Sequence, residues 1–244
     1  MTQRYIKIQD LEIPINIKNY KNSKSIKIYF KGNVLNITKP TRLSNKRLLE
    51  ILKSEEQNLY DKYKKITLSE IKSIKQWKTG EKISYKGKEF NIVRKYINKL
   101  ELNVKFDEVN EQVIITVPEN IEQEVIKESV DKIIKKIFKN NTEILISKRL
   151  PYWCEITGFD YNEVNVRDAI TRYGSCMPSR KNLYFSSRLI MLPEDKVDAI
   201  IVHELCHMKY KYHNADFYNL VEKYIPNYAE IDKWLKNNGD NIMF

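Results

Sequence analysis

Glycine is scarce in this chain, with six residues in 244, and no two of them lie within five residues of each other. Phosphate loops and dinucleotide-binding fingerprints need closely spaced glycines, because their backbone turns sharply and approaches the phosphates. The sequence therefore excludes both of these nucleotide-binding classes.

Cysteines and long apolar segments are also few. The three cysteines, Cys154, Cys176 and Cys206, are an odd number, which is typical of a reducing compartment without structural disulfides. No stretch approaches the ~20 apolar residues that span a bilayer, and the first residues lack the apolar core of a signal peptide. We therefore expect a cytoplasmic protein with no membrane partner.

Acidic residues are outnumbered, since 43 Lys and Arg against 32 Asp and Glu give a net charge of +11. Such an excess could attract nucleic acid or an acidic membrane. However, the basic residues are scattered among acids, and no aromatic–basic motif of a nucleic-acid reader occurs. We interpret the charge as a solvated basic surface, with nucleic acid as an alternative partner that no motif supports.

The first half of the chain repeats one layout. A strand–turn–strand pattern ends at Pro40 and again at Pro118, and an amphipathic helix pattern follows each. This predicts two β-hairpin-plus-helix units, residues 1–78 and 79–149, followed by a different unit at 150–244. Because the first two units contain no clustered His, Cys or paired acids, we interpret them as a scaffold or an accessory binding surface.

The third unit contains an H-E-x-x-H motif, His203-Glu204-Leu205-Cys206-His207, within a predicted helix. Residues i and i+4 share a helix face, so His203 and His207 can chelate one metal ion. Glu204 lies about 100° around the helix, where it can reach a zinc-bound water. Zinc lowers the pKa of that water, and the glutamate takes its proton during attack on a carbonyl.

A catalytic zinc takes three protein ligands and keeps one open position. His213, six residues after His207, is the favoured third ligand, with Asp216 and Glu222 as alternatives. The spacing of the three histidines equals that of the metzincins, but Tyr210 stands where their turn glycine would fall. We therefore exclude the metzincin class.

Three further residues are candidates for contacts with the substrate or transition state. Arg172 lies in a strand pattern before the metal helix, where zincins bind extended peptides along an edge strand, and could stabilise an oxyanion. Its alternative role is a structural ion pair. Tyr210 and Tyr212 are further oxyanion donors by position, with packing as the alternative.

These motifs resemble the signature of the YgjP-like zinc metallopeptidases, relatives of the SprT and WLM groups. The matching segments are residues 202–207, His213, Phe217-Tyr218, 224–228, 172–176, 187–189 and Pro193. The resemblance is specific over about residues 167–236 and looser over about 20–240. Tyr173 and Tyr218 depart from it, because the family usually has Trp there.

The resemblance implies an α+β fold: a zincin-like catalytic unit, with the HExxH helix and a small antiparallel or mixed sheet, after the repeated hairpin units. It implies His203, His207 and His213 as zinc ligands and Glu204 as the catalytic residue. We expect hydrolysis of peptide bonds in a peptide or protein substrate. The alternatives are a basic nucleic-acid-associated adaptor with structural zinc and a zinc hydrolase that acts on a non-peptide bond.

Overall fold

The computed structural model describes residues 4–23, 25–73, 75–169 and 172–239. Over these residues the chain forms eleven strands and six α-helices, which confirms the α+β class. It divides into two compact units, Met1–Ile74 and Lys75–Phe244. Among the described helices, none combines the length and the apolar composition needed to cross a bilayer.

The first unit is a mixed sheet with two helices. Its strands are β1 (Arg4–Ile8), β2 (Leu11–Tyr20), β3 (Lys27–Lys31) and β4 (Val34–Pro40), in the spatial order β1-β2-β4-β3. The helices are α1 (Asn45–Ser54) and α2 (Glu56–Ser73). Sheet residues Ile13, Leu35 and Ile37 are buried with Leu48 of α1, and the Ser44 side chain caps that helix. Strands β1 and β2 are not among the predicted elements.

The second unit begins with a sheet of the same order, β5-β6-β8-β7. Its strands are β5 (Lys82–Tyr85), β6 (Lys88–Ile97), β7 (Asn103–Asp107) and β8 (Gln112–Pro118). In both sheets the two central strands run parallel and the outer pairs antiparallel. In β4 and in β8, buried and half-buried residues alternate in the same way, and both strands end at a proline.

Both predicted boundaries differ from the division into compact units. The first falls four residues earlier than expected, because Trp77 is fully buried in the core of the second sheet. The second, between residues 149 and 150, lies inside helix α3 (Gln123–Thr157). This helix is continuous because its buried residues pack first on the second sheet and then on the core of the C-terminal part.

The C-terminal part combines a small mixed sheet with three helices. The sheet order is β10 (Gly174–Met177), β11 (Asn182–Ser186) and β9 (Glu163–Arg167). The helices are α4 (Glu194–Cys206), α5 (Ala215–Tyr224) and α6 (Tyr228–Asn238). Pro193 immediately precedes α4, and Asn214 caps α5, as their residue types predict.

Helix α4 is held by contacts along its N-terminal half. Arg149 of α3 donates to Asp198 of α4 from Nε, at 2.8 Å, and from a terminal guanidinium nitrogen. The β5–β6 turn donates backbone hydrogen bonds to residues 190 and 191, just before the helix. At Gly87, in that turn, φ is +75°, and a Cβ there would lie 2.7 Å from Pro193 Cα. Only glycine satisfies both the turn and the close approach.

Candidate metal centre

Three histidines converge where α4 ends. His203 lies in the last turn of α4, His207 is the C-terminal cap residue one turn further on, and the chain then turns so that His213 faces them. One nitrogen of each histidine lies within 4.8 Å of the others, and the Nε2 atoms of His203 and His213 are 3.0 Å apart. The buried ring of Phe217 packs against all three imidazoles. The three imidazoles thus form a cluster of nitrogen atoms that is packed against one aromatic ring.

Hydrogen bonds to Nδ1 orient the two helical histidines. The Nδ1 of His203 lies 2.6 Å from the hydroxyl of Tyr228, and the Nδ1 of His207 lies 2.9 Å from the backbone carbonyl of Tyr210. Because that carbonyl can only accept, His207 carries its proton on Nδ1 and directs a lone pair from Nε2. The same tautomer of His203 leaves its Nε2 free to face His213.

The electrostatic setting keeps the helical histidines neutral. Burial, with smaller contributions from His207 and His213, lowers the pKa of His203 to about 3. Burial also lowers the pKa of His207, although its hydrogen bond to the Tyr210 carbonyl opposes this. Neutral imidazole is the form that binds a metal ion, so the chemistry of this donor set fits a divalent cation such as zinc.

Glu204 is a buried carboxyl group beside the cluster, with 5% of its surface exposed. Burial raises its pKa to about 8, and the positive charge of Arg172 opposes that rise. A carboxyl group with a pKa near neutrality can both accept and return a proton at physiological pH.

Strand β10 lies against this carboxylate at Gly174. A Cβ built on Gly174 would lie 2.6 Å from Glu204 Oε1 and 2.8 Å from its Cγ. Real Cβ atoms do not approach so closely, so any other residue would displace Glu204 or the strand. The absence of a side chain at Gly174 therefore leaves the space that the Glu204 side chain occupies.

The other predicted site residues lie in different settings. Arg172 is exposed and close enough for its charge to act on Glu204. Tyr210 is half-buried and contributes its backbone carbonyl to the site. Tyr212 is 71% exposed, and the Lys211 ammonium lies 5.4 Å from its ring centroid.

Among the described residues, the group of His, Cys, Asp and Glu that could hold a metal ion is His203, His207 and His213. The alternative third ligands, Asp216 and Glu222, are exposed on α5 and are not part of this group. The geometry thus favours His213 over the two acids.

The family follows from comparison with known proteins. A family model described as the YgjP-like metallopeptidase domain matches residues 22–238, which is most of the chain. The chain belongs to the YgjP-like metallopeptidase family. This confirms the family that the C-terminal motifs predicted.

This YgjP-like metallopeptidase was also compared with solved structures and with curated proteins. Among solved structures, the chain is similar to the crystal structure of the metallopeptidase zymogen of Pyrococcus abyssi abylysin. The identity is 23%, the match covers 38% of this chain and 93% of that chain, and the TM-score is 0.35. No match was found among curated proteins.

For a YgjP-like metallopeptidase the expected bound group is a metal ion, usually zinc, and the histidine triad could hold it. Tyr228, which contacts His203, and Gly174, which leaves room for Glu204, are not among the predicted site residues. A glycine within a strand often marks a close backbone approach, so Gly174 in the predicted strand could have indicated a close contact near the site. No local pattern places Tyr228 beside His203, because 25 residues separate them and the contact depends on how α6 packs.

Proposed function

We propose that this chain is a zinc-dependent metallopeptidase in which His203, His207 and His213 bind the metal and Glu204 is the general base. The observation that supports this best is the convergence of three histidine nitrogens within 4.8 Å, next to a buried glutamate. Three nitrogen ligands leave a fourth position open in a tetrahedral zinc site, as catalytic zinc requires.

Each protein group has a definite task in this proposal. Bound zinc would supply Lewis acidity, which polarises the scissile carbonyl and lowers the pKa of a coordinated water toward neutrality. Glu204 takes the proton from the attacking water and returns it to the leaving amine. Arg172 carries a positive charge near Glu204 and is our candidate for stabilising the oxyanion, with Tyr210 and Tyr212 as further candidates.

The substrate we propose is an extended peptide or protein segment. Strand β10 is at one end of the order β10-β11-β9, so its outer side is an edge within the described sheet. An extended peptide can add to such an edge through backbone hydrogen bonds. Because β10 also contacts Glu204 at Gly174, a peptide bound there would lie beside the proposed base.

Peptide hydrolysis by purified protein tests this proposal. A mixture of unstructured peptides is incubated with zinc-loaded protein, and the products are read by mass spectrometry. We expect cleavage by wild type and a loss of at least about 100-fold in Glu204→Gln, since general base catalysis contributes about 10²–10⁴-fold.

Glu222→Gln is the matched control, because Glu222 is an exposed acid on α5. It should keep wild-type turnover. If Glu204→Gln cleaved as fast as wild type, the proposed mechanism would be wrong. If zinc-loaded wild type cleaved no peptide at all, an adaptor with structural zinc would be favoured instead.

A further inference from the structure

The net positive charge is concentrated in the first compact unit. Residues 1–74 contain 16 Lys and Arg against 7 Asp and Glu, a net charge of +9, whereas residues 75–244 contain 27 against 25. The basic residues that look scattered along the whole sequence therefore give one unit most of the charge. That unit contributes none of the three histidines, so its charge calls for a separate explanation.

The first sheet has two different faces. Residues Ile13, Leu35 and Ile37 point to the face on which α1 and α2 pack, and they are buried there. Because successive side chains alternate across a strand, the residues between them point the other way. We call this second surface the open face and define it by its exposed residues Tyr5, Lys7, Glu12, Asn16, Lys18, Tyr20, Lys27 and Tyr29.

The open face combines aromatic rings with cationic and amide groups. Tyr5, Tyr20 and Tyr29 are 56%, 51% and 51% exposed. The strand register places Lys18 and Lys27 on either side of Thr38, in one row across three strands. The next row holds Tyr29 beside Asn36, whose side-chain oxygen accepts a hydrogen bond from Asn16.

Acidic residues of this unit lie mostly elsewhere. On the open face, Glu12 of β2 is paired with Lys7 of β1 at one end. The others are at Asp10, in the β1–β2 turn, and at five positions within or between α1 and α2: Glu50, Glu55, Glu56, Asp61 and Glu70. The face thus offers cations and rings to an anionic partner with little opposing charge.

The second sheet has the same strand order but a different outer surface. In its register, Lys105 pairs with Ile114, and Asp107 pairs with Gln112. At the opposite edge of this sheet, on the same outer surface, Glu89 of β6 pairs with Ser84 of β5. The combination of three exposed tyrosines with lysines is therefore a property of the first sheet and not of this strand arrangement.

We propose that the open face of the first sheet binds single-stranded nucleic acid. Exposed rings on a sheet surface stack with unpaired bases, and lysines between them neutralise the phosphates. The amides of Asn16 and Asn36 can donate to and accept from base edges. Binding of an acidic peptide would involve the lysines but would not account for the exposed tyrosine rings. Binding to a membrane surface would require large apolar side chains, which the residues of the open face do not provide.

The test is fluorescence anisotropy with the full chain and labelled oligonucleotides of about 16 nucleotides, a length that one such module can occupy. Oligouridylate and oligothymidylate distinguish RNA from DNA, and a duplex of the same length tests the preference for single strands. We expect both single strands to bind more tightly than the duplex. Affinity should fall steeply between about 50 and 200 mM salt, as phosphate contacts require.

Matched variants separate stacking from general charge. Tyr29→Ala should weaken binding about fivefold or more, because stacking on a ring contributes at least that per base, and Tyr29→Phe should restore it. Tyr96→Ala is the control, since Tyr96 lies on β6 of the second sheet and is 57% exposed. Lys27→Glu should weaken binding much more than Lys105→Glu, which changes the net charge equally.

Three outcomes would overturn the proposal. The first is equal affinity of wild type and Tyr29→Ala for every oligonucleotide. The second is equal weakening by Lys27→Glu and Lys105→Glu, which would indicate attraction by net charge alone. The third is competition by polyglutamate or by vesicles of anionic lipid that matches oligouridylate, which would assign the face to another class of partner.

Discussion

At the scale of single residues, Tyr228 and Gly174 act on the groups of the centre from outside the H-E-x-x-H segment. The Tyr228 hydroxyl lies 2.6 Å from His203 Nδ1, and Gly174 leaves the space that the Glu204 carboxylate occupies. Neither residue belongs to the triad or carries the proposed proton transfer. Each can therefore be changed to test one property of the site while the ligands and the base remain.

Removal of the Tyr228 hydroxyl should weaken metal binding without removing a ligand. We expect Tyr228→Phe to lower zinc affinity about 10–100-fold, the usual effect of losing a hydrogen bond to a ligating histidine. Competition with a chromogenic chelator measures this. Tyr224→Phe is the control, because the Tyr224 hydroxyl donates to the carbonyl of Thr157 and not to a histidine. Equal zinc affinity of Tyr228→Phe and wild type would show that His203 does not depend on this bond.

A methyl group at position 174 should misplace the carboxylate. We expect Gly174→Ala to lower peptide turnover about 100-fold with zinc content unchanged, since a shift of about 1 Å in a catalytic group has effects of that size. Ser175→Ala, one residue along the same strand, should have little effect.

A double-mutant cycle identifies the contact behind this effect. The loss of stability in Gly174→Ala should be smaller when Glu204 is already replaced by alanine, because the two groups then no longer collide. If the loss were the same in both backgrounds, the clash with Glu204 would not be its cause.

At the scale of elements, α4 depends on its anchorage to α3. Nine of its thirteen residues are buried, among them the carboxylate of Asp198, whose partner is Arg149. We expect Arg149→Met to lower the free energy of unfolding by about 2–3 kcal/mol, because a mostly buried carboxylate loses its charged hydrogen bonds. Urea denaturation measures this. Lys148→Met, the exposed neighbouring change, should stay within about 0.5 kcal/mol of wild type, and equal effects would contradict the anchoring role.

The ends of the C-terminal helices could be predicted because local chemistry sets them. Pro193 cannot continue a preceding strand and fits a helix start, and Asn214 caps α5 through the backbone N–H of Phe217. The histidine spacing then places His203 and His207 on one face. The position of His213 was predictable only as one of three alternatives, because a turn between helices leaves no periodic pattern.

Other features depend on contacts between distant parts of the chain. Strand β2 has isoleucine at every second position, Ile13, Ile15 and Ile17, so the strand itself had a local signal that was not used, whereas its pairing with β4, about 20 residues further along, had none. Helix α3 extends past the expected boundary because its buried residues contact two cores in succession. The role of Tyr228 could not be predicted for the same reason, because its contact with His203 exists only once α6 packs against α4.

At the scale of the whole molecule, the two compact units should respond differently to zinc. All three tryptophans, Trp77, Trp153 and Trp234, lie in the second unit, which also holds the histidine triad. Tryptophan fluorescence therefore reports the unfolding of that unit alone, whereas circular dichroism reports both units.

We expect zinc at about 1,000 times its dissociation constant to raise the fluorescence-detected melting temperature by about 10 °C, because it stabilises the folded site by about 4 kcal/mol. The remaining transition in circular dichroism should not move. His213→Ala should abolish the shift. A zinc-dependent shift of the same size in His213→Ala would place the metal elsewhere.

The measurement that tests the proposed centre most directly is zinc X-ray absorption, with the zinc content of the same samples. We predict one zinc per chain, with three imidazole nitrogens at about 2.0–2.1 Å and one oxygen. Glu204→Gln should give the same spectrum, and His213→Ala should lose one nitrogen ligand. A carboxylate or thiolate in place of the third imidazole, or no zinc in wild type, would contradict the account.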